Sequence, residues 1–367
     1  MRILFAAVPA PGHVLPLLPL ADAAIDAGHE AAFLAADSAA PFLDGRRLLP
    51  AGPSVKQLIV VNLERAGPAR TLGPGLVELL AGTRIDLTWD DALRQGLRYE
   101  PDLIVGDSLD FVAPLLAARL DVPWASYAIS GPLPAEFADG LRERTREQHA
   151  SRLVTPRDPL ALLDPFPESL RLPADPAPES GRITVRFSGV AVEFAGQPSR
   201  PVPPRRPDVP RALVTMGTSV GEGNPALVAG LAQSVAGAGF DVLVTASPED
   251  AHLAPRVHAV GFAPLPELLS GVDVVIGSAS IGTLLATLAA GVPSVLLPVF
   301  ADQPTNAERA ARRGAARMID DPNDVGLAAR DVLDDPSFQQ AAREVAKETA
   351  AMNSPRQALT ELLTLYP

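Results

Sequence analysis

The sequence predicts an α/β protein of two doubly wound, Rossmann-like domains facing across a cleft, and three observations predict it. Strand, small-residue turn, helix and strand follow one another at the start of the chain and again within residues 211–319. That order builds a parallel sheet with helices on its faces. Between the two runs lies QPSRPVPPRRPDVPR, with prolines at 198, 201, 203, 204, 207 and 210, a semi-rigid extended spacer. At 367 residues the chain also exceeds the size that one hydrophobic core serves. The expected division is a first domain over residues 1–196, the spacer over 197–210 and a second domain over 211–352. A closing helical segment over 353–367 can pack back on the first domain.

Composition removes several classes of function. Lysine plus arginine number 31 and aspartate plus glutamate 43, for a net charge of −12. Such a balance lacks the basic footprint of a nucleic-acid binder and repels an anionic membrane. With no cysteine and five histidines, none of them spaced His-x-x-x-His, neither disulfides, thiolate chemistry nor a metal cluster is expected. The opening MRILFAAVPAPGHV reads as a first strand rather than a signal peptide. No run of about 20 uninterrupted apolar residues follows, so the expectation is a cytoplasmic protein without stable membrane insertion. A homodimer is compatible with the sequence.

In the first domain, residues 2–8 read as a strand, 9–12 as a Pro/Gly turn, 15–27 as a helix stopped by Gly28, and 30–36 as the second strand. His13 stands in that first turn. A lone histidine near a helix start is more often a packing or capping residue, but ligands of doubly wound sheets gather beyond the strand ends. Residues 57–62 read as a short strand and 72–97 as mostly helix. PDLIVGDSLDFVAPLLAARLDVPWASY repeats the first pattern, with a strand over 102–106, Asp107 at its carboxyl end and a helix over 108–120. Asp107 can simply cap that helix, yet the topology aims it and His13 into one crevice. Residues 131–175 are mixed in character, around a helical stretch over 136–151 that suits a flap over an acceptor pocket. Residues 182–193 read as a late strand.

The second domain opens with a strand over 212–216 and a turn of Gly217, Thr218 and Ser219. A helix over 224–239, strands over 241–246 and 257–260, and a helical turn over 266–269 follow. The most informative stretch is residues 275–318, VIGSASIGTLLATLAAGVPSVLLPVFADQPTNAERAARRGAARM. It gives a strand, a small-residue turn over 278–282, a helix from Thr283, a strand over 294–298, the pair Asp302 and Gln303, and a helix whose face Asn306, Arg309, Arg313 reads as solvated. A strand over 316–319 and helices over 325–333, 337–352 and 354–365 complete the chain. A helix opening after a glycine-containing turn offers unpaired N–H groups and the positive end of its dipole, which favours an anion such as phosphate. The plainer alternative, equally weighted on the turn alone, is that Gly282 only permits a tight turn.

Gly282-Thr283, Gly291-Val292-Pro293, Pro298, Asp302-Gln303, Asn306-Ala307 and Gly314-Ala315 form a series with a known counterpart. Set on two α/β halves, it resembles the GT-B glycosyltransferases of family 1, in the bacterial branch that decorates polyketides and similar natural products. PAPGHVLPLLPLADAAIDAGHE and PDLIVGDSLDFVAPLLAARLDVP are similar to that branch's amino-terminal signature and mid-domain aspartate strand. The resemblance covers nearly the whole chain apart from residues 131–175 and parts of the spacer.

The resemblance implies an inverting, metal-independent transferase with no cofactor beyond its co-substrate. That donor is a nucleoside-diphosphate sugar, a deoxysugar on thymidine diphosphate, and the acceptor is a small hydrophobic aglycone joined through oxygen or carbon. It implies His13 as general base and Asp107 as the carboxylate that orients it. Thr218, Ser219 and the helix start Ile281-Gly282-Thr283 would hold the pyrophosphate, Phe262 and Ala263 the nucleobase, and Asp302 and Gln303 the sugar hydroxyls. The branch's diphosphate loop reads H-G-G-x-G-T, whereas this chain has Ser278-Ala279-Ser280-Ile281-Gly282-Thr283. Ser278 is then expected to donate one hydrogen bond in place of the histidine, and Leu265 stands where the nucleobase segment often has glutamine. The rival reading is a non-catalytic or auxiliary homologue with a degenerate donor loop. A GT-B epimerase would need donor-side acid and base residues, and Asp302 is the lone carboxylate there.

Overall fold

The computed structural model of the chain describes residues 1–177, 181–187, 200–217, 224–246, 255–261 and 263–367. Two compact units divide them: Met1–Phe166 with Pro173–Arg186 and Met352–Pro367, and Pro167–Leu172 with Phe187–Ala351. The prolines at 201–210 go with the second unit.

The first unit is built on β1 (Arg2–Ala6), β2 (Glu30–Ala35), β3 (Leu48–Pro50), β4 (Leu103–Asp107), β5 (Trp124–Tyr127), β6 (Leu162–Asp164) and β7 (Arg182–Thr184). They form a parallel sheet in the order β3-β2-β1-β4-β5-β6-β7. Order reverses between β1 and β4, where Phe5 pairs with Val105 and Ala6 with Gly106. Loops leaving the two strands therefore diverge and open a crevice at their carboxyl ends. Gly106 is fixed by packing, since a Cβ there would come within 2.4 Å of the Ala113 methyl. Helix α1 (Leu18–Asp26) follows β1 and stops at Gly28, φ 83°.

Residues 57–62, expected as a strand, lie in helix α2 (Val55–Ala66). The Gln57 N–H is capped by the Ser54 hydroxyl while the Gln57 side chain accepts the Ser54 N–H. Such a capping box is worth about 1 kcal/mol and overrides the extended preference of Ile59, Val60 and Val61. Helices α3 (Arg84–Tyr99), α4 (Val112–Leu120) and α5 (Ala135–Ser151) complete the covering layers. Of the strand expected over 182–193, Arg182–Thr184 pairs with β6, and residues 188–193 lie outside the described residues.

The second unit carries β8 (Arg211–Thr215), β9 (Asp241–Val244), β10 (Val257–Ala259), β11 (Val274–Gly277), β12 (Ser294–Leu296) and β13 (Ala316–Met318), all parallel in the order β10-β9-β8-β11-β12-β13. Its switch point lies between β8 and β11. Helices α6 (Pro225–Gly237), α7 (Ile281–Ala289), α8 (Gln303–Arg312), α9 (Val325–Asp334) and α10 (Pro336–Ala351) surround the sheet. The last helix, α11 (Pro355–Thr364), packs against α1 of the first unit.

The face of α8 expected to be solvated is mostly buried: Asn306 is 1% and Arg309 2% exposed. Both find carbonyls to donate to, Asn306 Nδ2 to Ala279 at 3.3 Å and Arg309 Nη1 to Leu170 at 3.4 Å. A polar face can turn inward where its donors meet main-chain oxygens.

Candidate functional site

His13 and Asp107 meet at the switch point of the first sheet. Pro11 at the first helical position starts a short turn, Pro11–Val14, which places His13 just beyond β1. Asp107 is the last residue of β4. His13 Nδ1 lies 3.1 Å from Asp107 Oδ2, with side-chain exposures of 20% and 0%. The carboxylate also accepts the Val8 N–H at 2.9 Å and the Leu109 N–H at 2.7 Å. A carboxylate only accepts, so the Nδ1 proton is assigned to this bond and Nε2 keeps its lone pair for a substrate proton. The capping alternative for Asp107 fails in detail, because its oxygens serve Val8, Leu109 and His13 and no amide of α4.

In the second unit, the turn Ser278–Ser280 joins β11 to α7 across the switch point. Ser280 is the N-cap residue of α7 but makes no capping bond, and the first helical hydrogen bond is Leu284 N–H to the Ser280 carbonyl at 2.9 Å. The amides of Ile281, Gly282 and Thr283 therefore have no acceptor within the helix. Gly282 has no left-handed backbone, and a Cβ there would meet only the Phe187 ring edge, at 3.8 Å. The fold does not require glycine at this position. The left-handed residue of the turn is Ala279, at φ 62°.

Ser278 is 1% exposed, and its hydroxyl donates to the Met216 carbonyl at 3.0 Å. That bond ties the turn before α7 to the residue that follows β8. Ser280 Oγ lies 3.0 Å from Ser278 Oγ and accepts from Gln303 Nε2 at 3.3 Å. Gln303 Oε1 accepts the Val299 and Phe300 N–H groups at 2.9 and 3.2 Å. A chain of hydrogen bonds thus runs from the turn before α8, through Ser280 and Ser278, to the end of β8. Asp302 is half-buried and accepts from Asn306 Nδ2 at 2.9 Å.

Thr218, Ser219 and Phe262 lie outside the described residues; Ala263 is half-buried against the apolar cluster around Leu213, Val260 and Leu268. Sequence reasoning missed the supporting roles of Ser280, Arg84 and Asp110, and took Asn306, though part of the resemblance series, for a solvated residue. Spacing alone carried no signal for them, because each partner is supplied by another element of the fold. No group of three or more metal-ligating side chains is present among the described residues. No helix among them is long and apolar enough to cross a membrane.

Residues 231–365 match the family described as erythromycin biosynthesis protein CIII-like, C-terminal domain. Over 393 aligned positions the chain is 29% identical to the elloramycin glycosyltransferase ElmGT of Streptomyces olivaceus, covering 100% of this chain and 98% of that one. It is 26% identical to the L-demethylnoviosyl transferase of Streptomyces niveus, covering 97% and 96%. Among solved structures, the Streptomyces sp. SF2575 glycosyltransferase SsfS6 complexed with thymidine diphosphate superimposes with a TM-score of 0.84 at 29% identity, over 99% of both chains.

Proposed function

We propose that this chain, a GT-B fold glycosyltransferase of the natural-product type, moves a deoxysugar from thymidine diphosphate to a small hydrophobic aglycone with inversion and without a metal. The observation that carries the reading is the His13–Asp107 pair at the end of β1 and β4. His13 Nε2 takes the proton of an acceptor hydroxyl, or of a phenol that attacks through a ring carbon, as the nucleophile closes on the anomeric carbon. Asp107 holds the ring and stabilises the imidazolium. One displacement inverts the anomeric centre, and the departing diphosphate gathers charge. The free amides and positive dipole end of α7 suit that charge, and the bare Gly282 leaves room for close approach. SsfS6 and its thymidine diphosphate support the choice of nucleotide.

The test pairs binding with turnover. Titration with thymidine and uridine diphosphates should show the tighter complex with thymidine, and thymidine-diphosphate deoxysugars should be consumed with polyketide aglycones. His13→Ala should keep nucleotide affinity and lose about 10²- to 10⁴-fold in kcat. Full turnover by that variant removes His13 as base. No binding of either nucleotide would favour the auxiliary reading.

A further inference from the structure

Behind the His13–Asp107 pair lie two more buried charges, Arg84 and Asp110, with side-chain exposures of 2% and 0%. Arg84 Nη2 donates to Asp110 Oδ2 at 2.5 Å and to the Ala7 carbonyl at 2.8 Å, and Nε donates to Asp110 Oδ1 at 3.3 Å. Arg84 Nη1 is buried without a hydrogen-bond partner among the described residues. Asp110 accepts the Val112 N–H at 3.0 Å, and its own N–H donates to the Asp107 carbonyl at 3.0 Å. Both carboxylates therefore ride on one turn after β4. Burial pushes the Asp110 carboxyl above its ordinary value, Arg84 opposes that, and Asp107 adds to it.

A guanidinium stays charged at any working pH, and an unused buried donor makes it a strong competitor for a nearby carboxylate. Asp107 accepts from Val8, Leu109 and His13, and Arg84 is directed elsewhere. The second unit shows the opposite arrangement, in which Asp241 accepts both Arg211 Nη2 and His258 Nε2 at 2.9 Å. Resting on the reading of His13 as base, we propose that Asp110 is a positioning residue. It holds the Arg84 guanidinium, leaves the Asp107 carboxylate to His13, and so preserves the negative charge on which the imidazolium forms.

The titration of the His13 ring reads this directly. Of the elements packed on the Pro11–Val14 turn, Leu15–Leu17 is uncharged and Asp37–Phe42 carries Asp37, which is exposed. The buried charges tied to the ring by hydrogen bonds among the described residues are Asp107 and, through its turn, Asp110 and Arg84. Imidazole resonances of the full chain are followed against pH, with His13 assigned by the signal lost in His13→Gln. Asp110→Asn frees the guanidinium, and the ring's midpoint falls by about one pH unit. Arg84→Met leaves the midpoint near the parent's, because the buried Asp110 takes up a proton once its counter-ion is gone. The double variant Arg84→Met/Asp110→Asn returns to the parent's midpoint.

In turnover, Asp110→Asn lowers kcat and leaves nucleoside-diphosphate affinity unchanged. A midpoint unmoved by Asp110→Asn, or shifted equally in the double variant, overturns the proposal. Asp110→Ser carries the same expectation should Asp110→Asn fold poorly. The titration needs no substrate, so it decides on Asp110 separately from the His13→Ala assay that decides on the base.

Discussion

His13 Nδ1 lies 3.1 Å from Asp107 and His258 Nε2 lies 2.9 Å from Asp241, two pairs alike in contact and different in place. The first stands at the carboxyl ends of β1 and β4, at a switch in strand order where a doubly wound sheet leaves a crevice. In the second, Asp241 opens β9, beside Arg211 at the start of β8, at the amino-terminal ends of two interior strands. The second carboxylate is neutralised by a buried arginine, whereas in the first the arginine is drawn to a separate aspartate. A histidine beside a carboxylate is therefore not in itself a base. Strand polarity and the other charges on the carboxylate decide what the pair can do.

Equivalent substitutions should break the likeness most sharply. Asp107→Asn keeps one acceptor oxygen, turns the other position into an NH2 donor facing a group that now donates, and no longer favours the imidazolium, so kcat should fall by about 10²-fold or more. Asp241→Asn should behave the other way. It leaves Arg211 buried with a neutral partner, so stability should drop by about 3 to 5 kcal/mol in chemical denaturation. The kcat of the remaining folded protein should match the parent's. A matching loss of kcat in both variants would make the contrast between the pairs untenable.

The next largest effect is on acid stability. Burial pushes the Asp241 carboxyl upward, but the hydrogen bonds and charges of His258 and Arg211 outweigh it and hold the group below its ordinary value. A group depressed in the folded state contributes stability above its unfolded pKa and loses it as pH falls through the folded one. The melting temperature should therefore decline below about pH 4. In Asp241→Asn, which starts lower, that part of the decline should be missing, and an unchanged acid slope would assign it to other carboxylates.

Legibility in the sequence followed the reach of each interaction. The strand, turn and helix from Arg2 to Asp26 rest on local pattern and punctuation, and they were readable. The run Val55–Ala66 was misread, although Ser54 and Gln57 already spelled a helix cap. Strands as short as Leu48–Pro50 and Leu162–Asp164 exist because neighbours pair with them, and three residues hold too little periodicity to show it. The approach of His13 to Asp107 could be anticipated from the topology of parallel strands. That of Arg84 to Asp110 could not, because nothing in α3 says which of its residues faces β4. Ser278 was placed correctly in its turn, yet its hydroxyl turns to Met216, a choice made by the end of β8.

The smallest effect sharpens the comparison at the carboxyl end of the second sheet. Ala279 is buried with φ 62°, a left-handed conformation that disfavours any residue with a Cβ. The Asn306 amide bonds its carbonyl, and the Ser278 and Ser280 hydroxyls brace either side, so the turn is held against that preference. Ala279→Gly should relieve the strain and raise stability by about 1 kcal/mol, less the entropy that glycine adds to the unfolded chain. If the strain only records a lost glycine, thymidine diphosphate affinity should stay within about twofold, since the amides of α7 keep their place. Weaker nucleotide binding in a more stable variant would show instead that the strained turn presets those amides for the ligand.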